Sequence, residues 1–305
     1  MGTEPESWQP TGLERFESAD GFAEYADNPD LEARNRAILS LLGPASGRRL
    51  ASHTGRCSET DLSSETGLSS ETRLSSKTGR SAQPDQAAEQ WLDVGCGPGI
   101  AGRALERSGR TVFSLDASRP ALASGPPRPV CASIDTLPFA DRSVDGVLCL
   151  EVLEHLPGPI LHRGTEELAR VTSRWLLVGV PHRENLARNL LLCPACDARF
   201  NRSGHLHRFE VPNLVALFPG FRVSDRWVGG PKVRDYPGWL LWVRHRVARR
   251  FSEMSGLKGN CCPRCGNRTF PPFRHNLLSF ATDAVNRLLS RRRPYWLLIL
   301  LEREA

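Results

Sequence analysis

The chain lacks any apolar run approaching the ~18 to 20 residues that span a bilayer. Its longest such run is Tyr295–Leu301. A membrane-crossing helix is therefore not expected. Cysteine is sparse: nine in 305 residues cannot form the dense disulfide framework that substitutes for a core in small secreted domains. Lysine is nearly missing, with only Lys77, Lys232 and Lys258 among 40 basic residues. No basic, apolar leader opens the chain; MGTEPESWQP is acidic and polar, unlike a secretory signal peptide. These absences point to a cytoplasmic protein. In a reducing compartment, paired cysteines serve metal binding or chemistry rather than disulfides.

What is present suits one large domain with elaborations. Hydrophobic residues make up 40% and charged residues 24%, enough to bury a core. The net charge of +6 is unevenly placed. Residues 1–182 carry 18 Lys+Arg against 25 Asp+Glu, whereas residues 183–305 carry 22 against 9. The basic second part suits an anionic partner such as nucleic acid, anionic lipid or a phosphorylated substrate. The preponderance of arginine over lysine equally suits a GC-rich genome.

Four stretches follow one another. Residues 1–45 form an N-terminal helical segment, with LEARNRAILSLLG carrying helical periodicity up to Gly43-Pro44. Residues 46–88 read as a disordered linker. Within it SETDLS, SETGLS, SETRLS and SKTGRS repeat every six residues over 58–81, with too few apolar side chains to build a core. Residues 89–182 alternate short apolar strands with helices, the pattern of a doubly wound α/β sheet. Residues 183–305 add strands at Phe221–Val228 and Tyr295–Leu301. Between those strands lie helices at Trp239–Phe251 and Leu277–Leu289 and a cysteine knuckle.

The loop Asp93-Val94-Gly95-Cys96-Gly97-Pro98-Gly99 leaves a strand and opens a helix. Glycines there let a ligand approach the main chain, and the helix start offers free N–H groups. The spacing is G-x-G-x-G, which is not the dinucleotide G-x-G-x-x-G, and no Walker Gly-Lys-Ser/Thr follows. Asp116 ends the next strand, where a carboxylate can accept two ribose hydroxyls. This pairing suits a nucleoside that carries an amino acid, with Asp93 near the ammonium.

WLDVGCGPG, SLDAS, LPFADRSVDGVLCLEVLEHL and WLLVGVP, in that order, resemble class I S-adenosylmethionine (SAM)-dependent methyltransferases of the type 11 group. The resemblance implies a Rossmann-like doubly wound sheet and SAM as cofactor. Carried over by position, Asp93, Gly95, Cys96, Gly97 and Gly99 form the methionine-side loop. Asp116 holds the ribose beside Ala117, Ser133 and Ile134 stand at the adenine, and Leu150 and Glu151 lie near the sulfonium. Where the family often has Asp at the adenine, this chain has Ser133. His155 reads equally as a catalytic or a structural residue. His205 and His207, within GHLHRF, resemble a substrate-side segment of the group and are the candidate catalytic residues; a packing role is an equal alternative.

Cys193-Pro194-Ala195-Cys196 and Cys262-Pro263-Arg264-Cys265 form two C-P-x-C knuckles. Four thiolates in this arrangement suit a closed tetrahedral zinc site of structural role. A mixed site of Cys193, Cys196, His205 and His207 is the rival. The expected architecture is thus a methyltransferase core with a zinc-stapled C-terminal cap and a disordered loop.

The expected reaction is in-line methyl transfer to a small-molecule, sugar or lipid-linked substrate. The segment Trp239–Phe251 could make peripheral membrane contact. RNA methylation with the basic cap as platform is one alternative, and a non-catalytic SAM-binding or zinc scaffold protein is another.

Overall fold

The computed structural model describes residues 29–44, 88–251, 261–271 and 274–305. The repeat at 58–81, nearly all of the 46–88 linker and the N-terminal part of the first expected helix lie outside the described residues.

Along the chain run α1 (Pro29–Leu42), β1 (Gln90–Val94), α2 (Ile100–Arg107), β2 (Thr111–Asp116), α3 (Arg119–Leu122), β3 (Pro129–Cys131) and β4 (Val144–Leu150). Then come α4 (Gly158–Val171), β5 (Thr172–Pro181), β6 (Leu190–Leu192), β7 (Arg199–Asn201) and α5 (Val211–Val215). β8 (Phe221–Arg234), α6 (Gly238–Trp242), α7 (Leu277–Leu289) and β9 (Arg292–Arg303) complete the fold. Seven strands form one sheet in the order β3-β2-β1-β4-β5-β9-β8. β1 to β5 pair in parallel, while β9 runs antiparallel to both β5 and β8. β6 and β7 form a separate two-stranded ribbon.

The sheet is covered on both faces, and the period-two alternation of strand side chains divides the core accordingly. Leu92, Val147, Leu176, Val178, Leu297 and Ile299 pack with Leu161 and Leu168 of α4 and Phe218. Their strand neighbours Trp91, Leu148, Leu177, Leu298 and Leu300 point the other way, onto Ile38 of α1 and Leu105 of α2. A strand buried on both faces must read as a continuous apolar run, and WLLILL of β9 does.

Two elements differ from the sequence expectation. β8 continues past Val228 to Arg234, because β9 extends beside it down to Arg292. The helix expected over Trp239–Phe251 ends as a π turn at Val247, and Arg249 then adopts φ 49°. Among the described residues no helix is long and apolar enough to cross a membrane.

Candidate active site

The site begins where β1 ends. Gly95 N and Cys96 N both donate to Leu115 O, at 2.8 and 3.0 Å, and tie the loop to the end of β2. Gly95 sits at φ +70°, and a Cβ there would lie 2.3 Å from Val152 Cγ2. Glycine is required on both counts. Asp116 Oδ2 accepts from Gly97 N and Oδ1 accepts from Ser118 N, each at 2.8 Å. Each oxygen keeps a lone pair for another donor. The carboxylate is thus held face-on beside the loop.

Asp93 is buried, and its Oδ2 accepts from Gly102 N at 3.0 Å. Burial pushes its carboxyl up to about 7, although the Gly102 hydrogen bond and Arg34 pull it down. Burial, Asp93 and Asp116 together keep the Cys96 thiol protonated. Arg34 comes from α1, is buried, and stacks 5.3 Å over the Trp296 ring. No sequence pattern singled it out.

A cavity of about 660 Å³ opens in front of these groups, within the range of small-molecule sites. Its first wall contains Asp93, the loop from Gly95 to Pro98, Asp116 and Ala117, with Ser133 and Ile134 beyond. Gly99 does not line it; its φ of +75° makes the turn into α2 instead. Ser133 donates its hydroxyl to Asp135, which Arg163 also holds at 2.9 Å. Asp135 itself is not part of the wall. Leu150, Glu151 and Val152 form the floor.

The opposite wall is built by long-range contacts. Glu154 O accepts from Leu206 N at 2.7 Å, which lays the GHLHRF segment along the Leu153–His155 turn. His205 thereby lines the cavity beside His155, their rings edge-to-face at 4.7 Å. Glu184 binds His205 Nδ1 and also accepts from Asn189 Nδ2 at 2.8 Å. Burial pushes the Glu184 carboxyl up, but its hydrogen bonds with His205 and Asn189 outweigh this and the net direction is down. His207 stands elsewhere: its Nε2 meets Leu156 O at 2.7 Å, and it does not line the cavity.

Two further acids lie under this wall. Glu151 follows the last residue of β4 and sits in the left-handed region, at φ 57°, an uncommon conformation that recurs at functional sites. Burial pushes its carboxyl up to about 7, with Arg34 and His205 opposing. Glu154 is fully buried, and neither carboxylate oxygen has a hydrogen-bond partner among the described residues. Burial and Glu151 raise its carboxyl well above the usual range.

The cysteine knuckles meet in space. Cys193 N donates to Ala198 O and Asp197 N to Cys193 O; Cys262 N donates to Asn267 O and Gly266 N to Cys262 O. Both turns place a left-handed residue, Asp197 or Gly266, at the same position. Cys193 Sγ lies 3.6 Å from Cys265 Sγ, and Cys196 Sγ lies 3.6 Å from Cys262 Sγ. That is far beyond the ~2.05 Å of a disulfide. It is close to the ~3.8 Å between ligands of a tetrahedral zinc with Zn–S of about 2.3 Å. All four sulfurs lie within 4.8 Å of one another, and neither His205 nor His207 joins them. The first knuckle sits at the tip of the β6–β7 ribbon, and Phe200 of that ribbon meets Phe270 edge-on at 6.0 Å. Arg199, Phe200 and Pro263 of this cap complete the cavity wall.

A family model described as a methyltransferase domain matches residues 92–174. An uncharacterized methyltransferase of Mycobacterium tuberculosis is 42% identical over an alignment covering 50% of this chain and 68% of that protein. One from Mycobacterium sp. (strain KMS) is 34% identical with the same coverage. A SAM-dependent methyltransferase from Archaeoglobus fulgidus superposes with a TM-score of 0.43 at 14% identity, covering 70% of this chain and 86% of that one.

Proposed function

We propose an acceptor class and a mechanism for this chain, which belongs to the class I SAM-dependent methyltransferases of the type 11 group. The enzyme uses SAM and transfers its methyl group to a small-molecule, sugar or lipid-linked acceptor. The observation that carries this reading is the continuous cavity from the Gly95–Pro98 loop to His205, closed on its far side by the cap.

The residues fit the cofactor. Gly95 leaves a cradle that a Cβ would fill, and both Asp116 oxygens keep capacity for ribose hydroxyls. When bound, SAM supplies an electrophilic methyl group that already carries its leaving group. The protein's task is therefore to align the reactants and exclude water. Asp116 fixes the ribose, with Ala117, Ser133 and Ile134 beside the adenine. Asp93 and the Gly95–Gly99 loop receive the amino-acid end. Leu150 and Glu151 close the floor beneath the sulfonium. His205, oriented by Glu184, faces the acceptor.

Cys193, Cys196, Cys262 and Cys265 would hold one structural zinc. Four thiolates leave no open position for chemistry, so this metal staples the β6–β7 ribbon to the insert between β8 and β9. Support for a lipid-linked acceptor comes from α6 and α7, which pack together. They expose Trp239, Trp242, Leu277, Phe280 and Leu288, with Arg246, Arg249 and Arg287 also exposed. Aromatic and aliphatic side chains beside arginines suit an anionic membrane surface.

The test is SAM affinity in Asp116 variants. Two charge-assisted hydrogen bonds of about 1.5 kcal/mol each predict roughly a hundredfold loss for Asp116→Ala. Asp116→Asn, which keeps one acceptor, should fall between. Unchanged affinity in both would refute the cofactor assignment.

A further inference from the structure

The structure brings three side chains together, and methyl transfer alone gives no reason for Glu154 and His155 to stand beside His205. Ligand atoms of Glu154, His155 and His205 all lie within 4.8 Å of one another. Glu154 is fully buried, yet both its carboxylate oxygens lack a hydrogen-bond partner among the described residues. A buried carboxyl group without a hydrogen-bond partner is costly whether it is charged or protonated, and a cation held between it and the two imidazoles would remove that cost. Glu151, three residues earlier in sequence, also has an Oε1 without a hydrogen-bond partner among the described residues.

The surrounding hydrogen bonds prepare His205 for such a role. Glu184 occupies Nδ1, and Nε2 has no hydrogen bond among the described residues. A carboxylate behind an imidazole fixes its tautomer and raises the basicity of the other nitrogen, as it does around ligating histidines. The Leu206 N to Glu154 O hydrogen bond holds the two sides of the cluster in register. His155 and His205 line the same cavity as Asp93 and Asp116.

We propose that Glu154, His155 and His205 form a divalent-cation site, and that this cation binds the methyl acceptor. Two imidazoles and a carboxylate favour Zn²⁺, Mn²⁺ or Fe²⁺ and leave adjacent positions open. Adjacent open positions chelate two neighbouring oxygens, so the acceptor class is a vicinal diol or catechol. A cation there would lower the pKa of the acceptor hydroxyl. The hydroxyl loses its proton to solvent at the cavity mouth. Its oxygen forms the bond to the methyl carbon as the carbon–sulfur bond breaks, and the sulfur keeps the electron pair. The acceptor class rests on the methyltransferase reading; the cation site does not.

Mn²⁺ separates this site from the four cysteines, because it prefers oxygen and nitrogen to thiolate. The full chain, treated with EDTA, is titrated with Mn²⁺ while free Mn²⁺ is followed by electron paramagnetic resonance. SAM affinity and melting temperature are measured on the same samples. One Mn²⁺ per chain is expected, retained in Cys262→Ser. Glu154→Gln and His205→Asn should lose it, and Glu184→Gln should bind it 10- to 100-fold more weakly. Glu154→Gln should still bind SAM, which shows that the variant is folded. Should Glu154→Gln not fold, His155→Asn decides by the same readout. A native chain that binds SAM but no Mn²⁺ overturns the site, as does undiminished Mn²⁺ binding in folded Glu154→Gln or His155→Asn. A chain that binds Mn²⁺ at this cluster but not SAM keeps the site and removes the methyltransferase reading.

Discussion

Asp93 offers a direct test of how the cofactor site is charged. Its carboxyl is raised from 3.8 to about 7, mainly by burial. The folded chain therefore holds this proton up to about pH 7, while the unfolded chain releases it near 3.8. Between those values the folded state binds more protons, so stability falls as pH rises through the window and levels off above it. The difference corresponds to about 4 kcal/mol. Asp93→Asn keeps an oxygen that can accept from Gly102 N and removes the charge. It should raise the melting temperature of the free protein at pH 8 by at least several degrees, since ~1 kcal/mol moves a chain of this size by about 2 to 4 °C. The cationic cofactor demands the opposite state. If only ionised Asp93 binds, SAM affinity should rise roughly eightfold between pH 6 and 7.5. Calorimetric titration across that range gives the slope. Glu151 also titrates near 7, so the comparison with Asp93→Asn is what isolates Asp93. An affinity independent of pH, or a wild-type slope retained in Asp93→Asn, would refute the reasoning.

Three further outcomes are expected. Elemental analysis of purified protein should find one zinc bound by the four cysteines, and Cys262→Ser should lose it; thiolate-bound metal retained in that variant would contradict the ligand set. Gly95→Ala should abolish SAM binding and lower stability by about 1 to 3 kcal/mol in a thermal melt, because its Cβ meets Val152 and its φ is +70°. In a sedimentation assay the chain should bind anionic vesicles in preference to neutral ones, and the Trp239→Ala, Trp242→Ala double variant should bind less. Structured RNA serves as the comparison there, since salt-sensitive RNA binding without vesicle binding would move the acceptor to nucleic acid.

The core was legible because its signals are local. A strand packed on both faces must be apolar throughout, and a loop opening a helix must carry glycine where φ is positive. The paired knuckles were legible for the same reason: each C-P-x-C is a four-residue turn, and the likeness of the two turns predicts that they meet. The far wall of the cavity was not legible. His205 reaches the cavity through a hydrogen bond between Leu206 and Glu154, more than fifty residues apart. Arg34 arrives from a helix separated from the glycine loop by the long linker. Glu151-x-x-Glu154-His155 did carry a signal, two acids and a histidine crowded at a strand end, but read alone it was absorbed into the general resemblance of LEVLEHL. Nothing in the spacing distinguishes His205 from His207; only the tertiary partner, Glu184 or Leu156 O, does.

The electrostatics of the cavity make sense only when its occupants are counted. Asp93 and the half-buried Glu151 line the cavity, Glu154 and Glu184 are buried behind its far wall, and Arg34 is the arginine on the wall that acts on Asp93, Glu151 and Glu154. Among the described residues, hydrogen bonds satisfy Glu184 and one oxygen of Asp93, but not the Glu154 carboxyl or Oε1 of Glu151. A fold selected for stability alone would replace such groups with apolar ones of similar volume. Their retention is explained if the working state adds positive charge at two places: the sulfonium and ammonium of the cofactor near Asp93 and Glu151, and a divalent cation at Glu154. On this account the free protein is the strained state, and binding at either place should ease the cost of charge at the other, because both neutralise the same set of carboxylates. The two sites would then be coupled, each tightening the other.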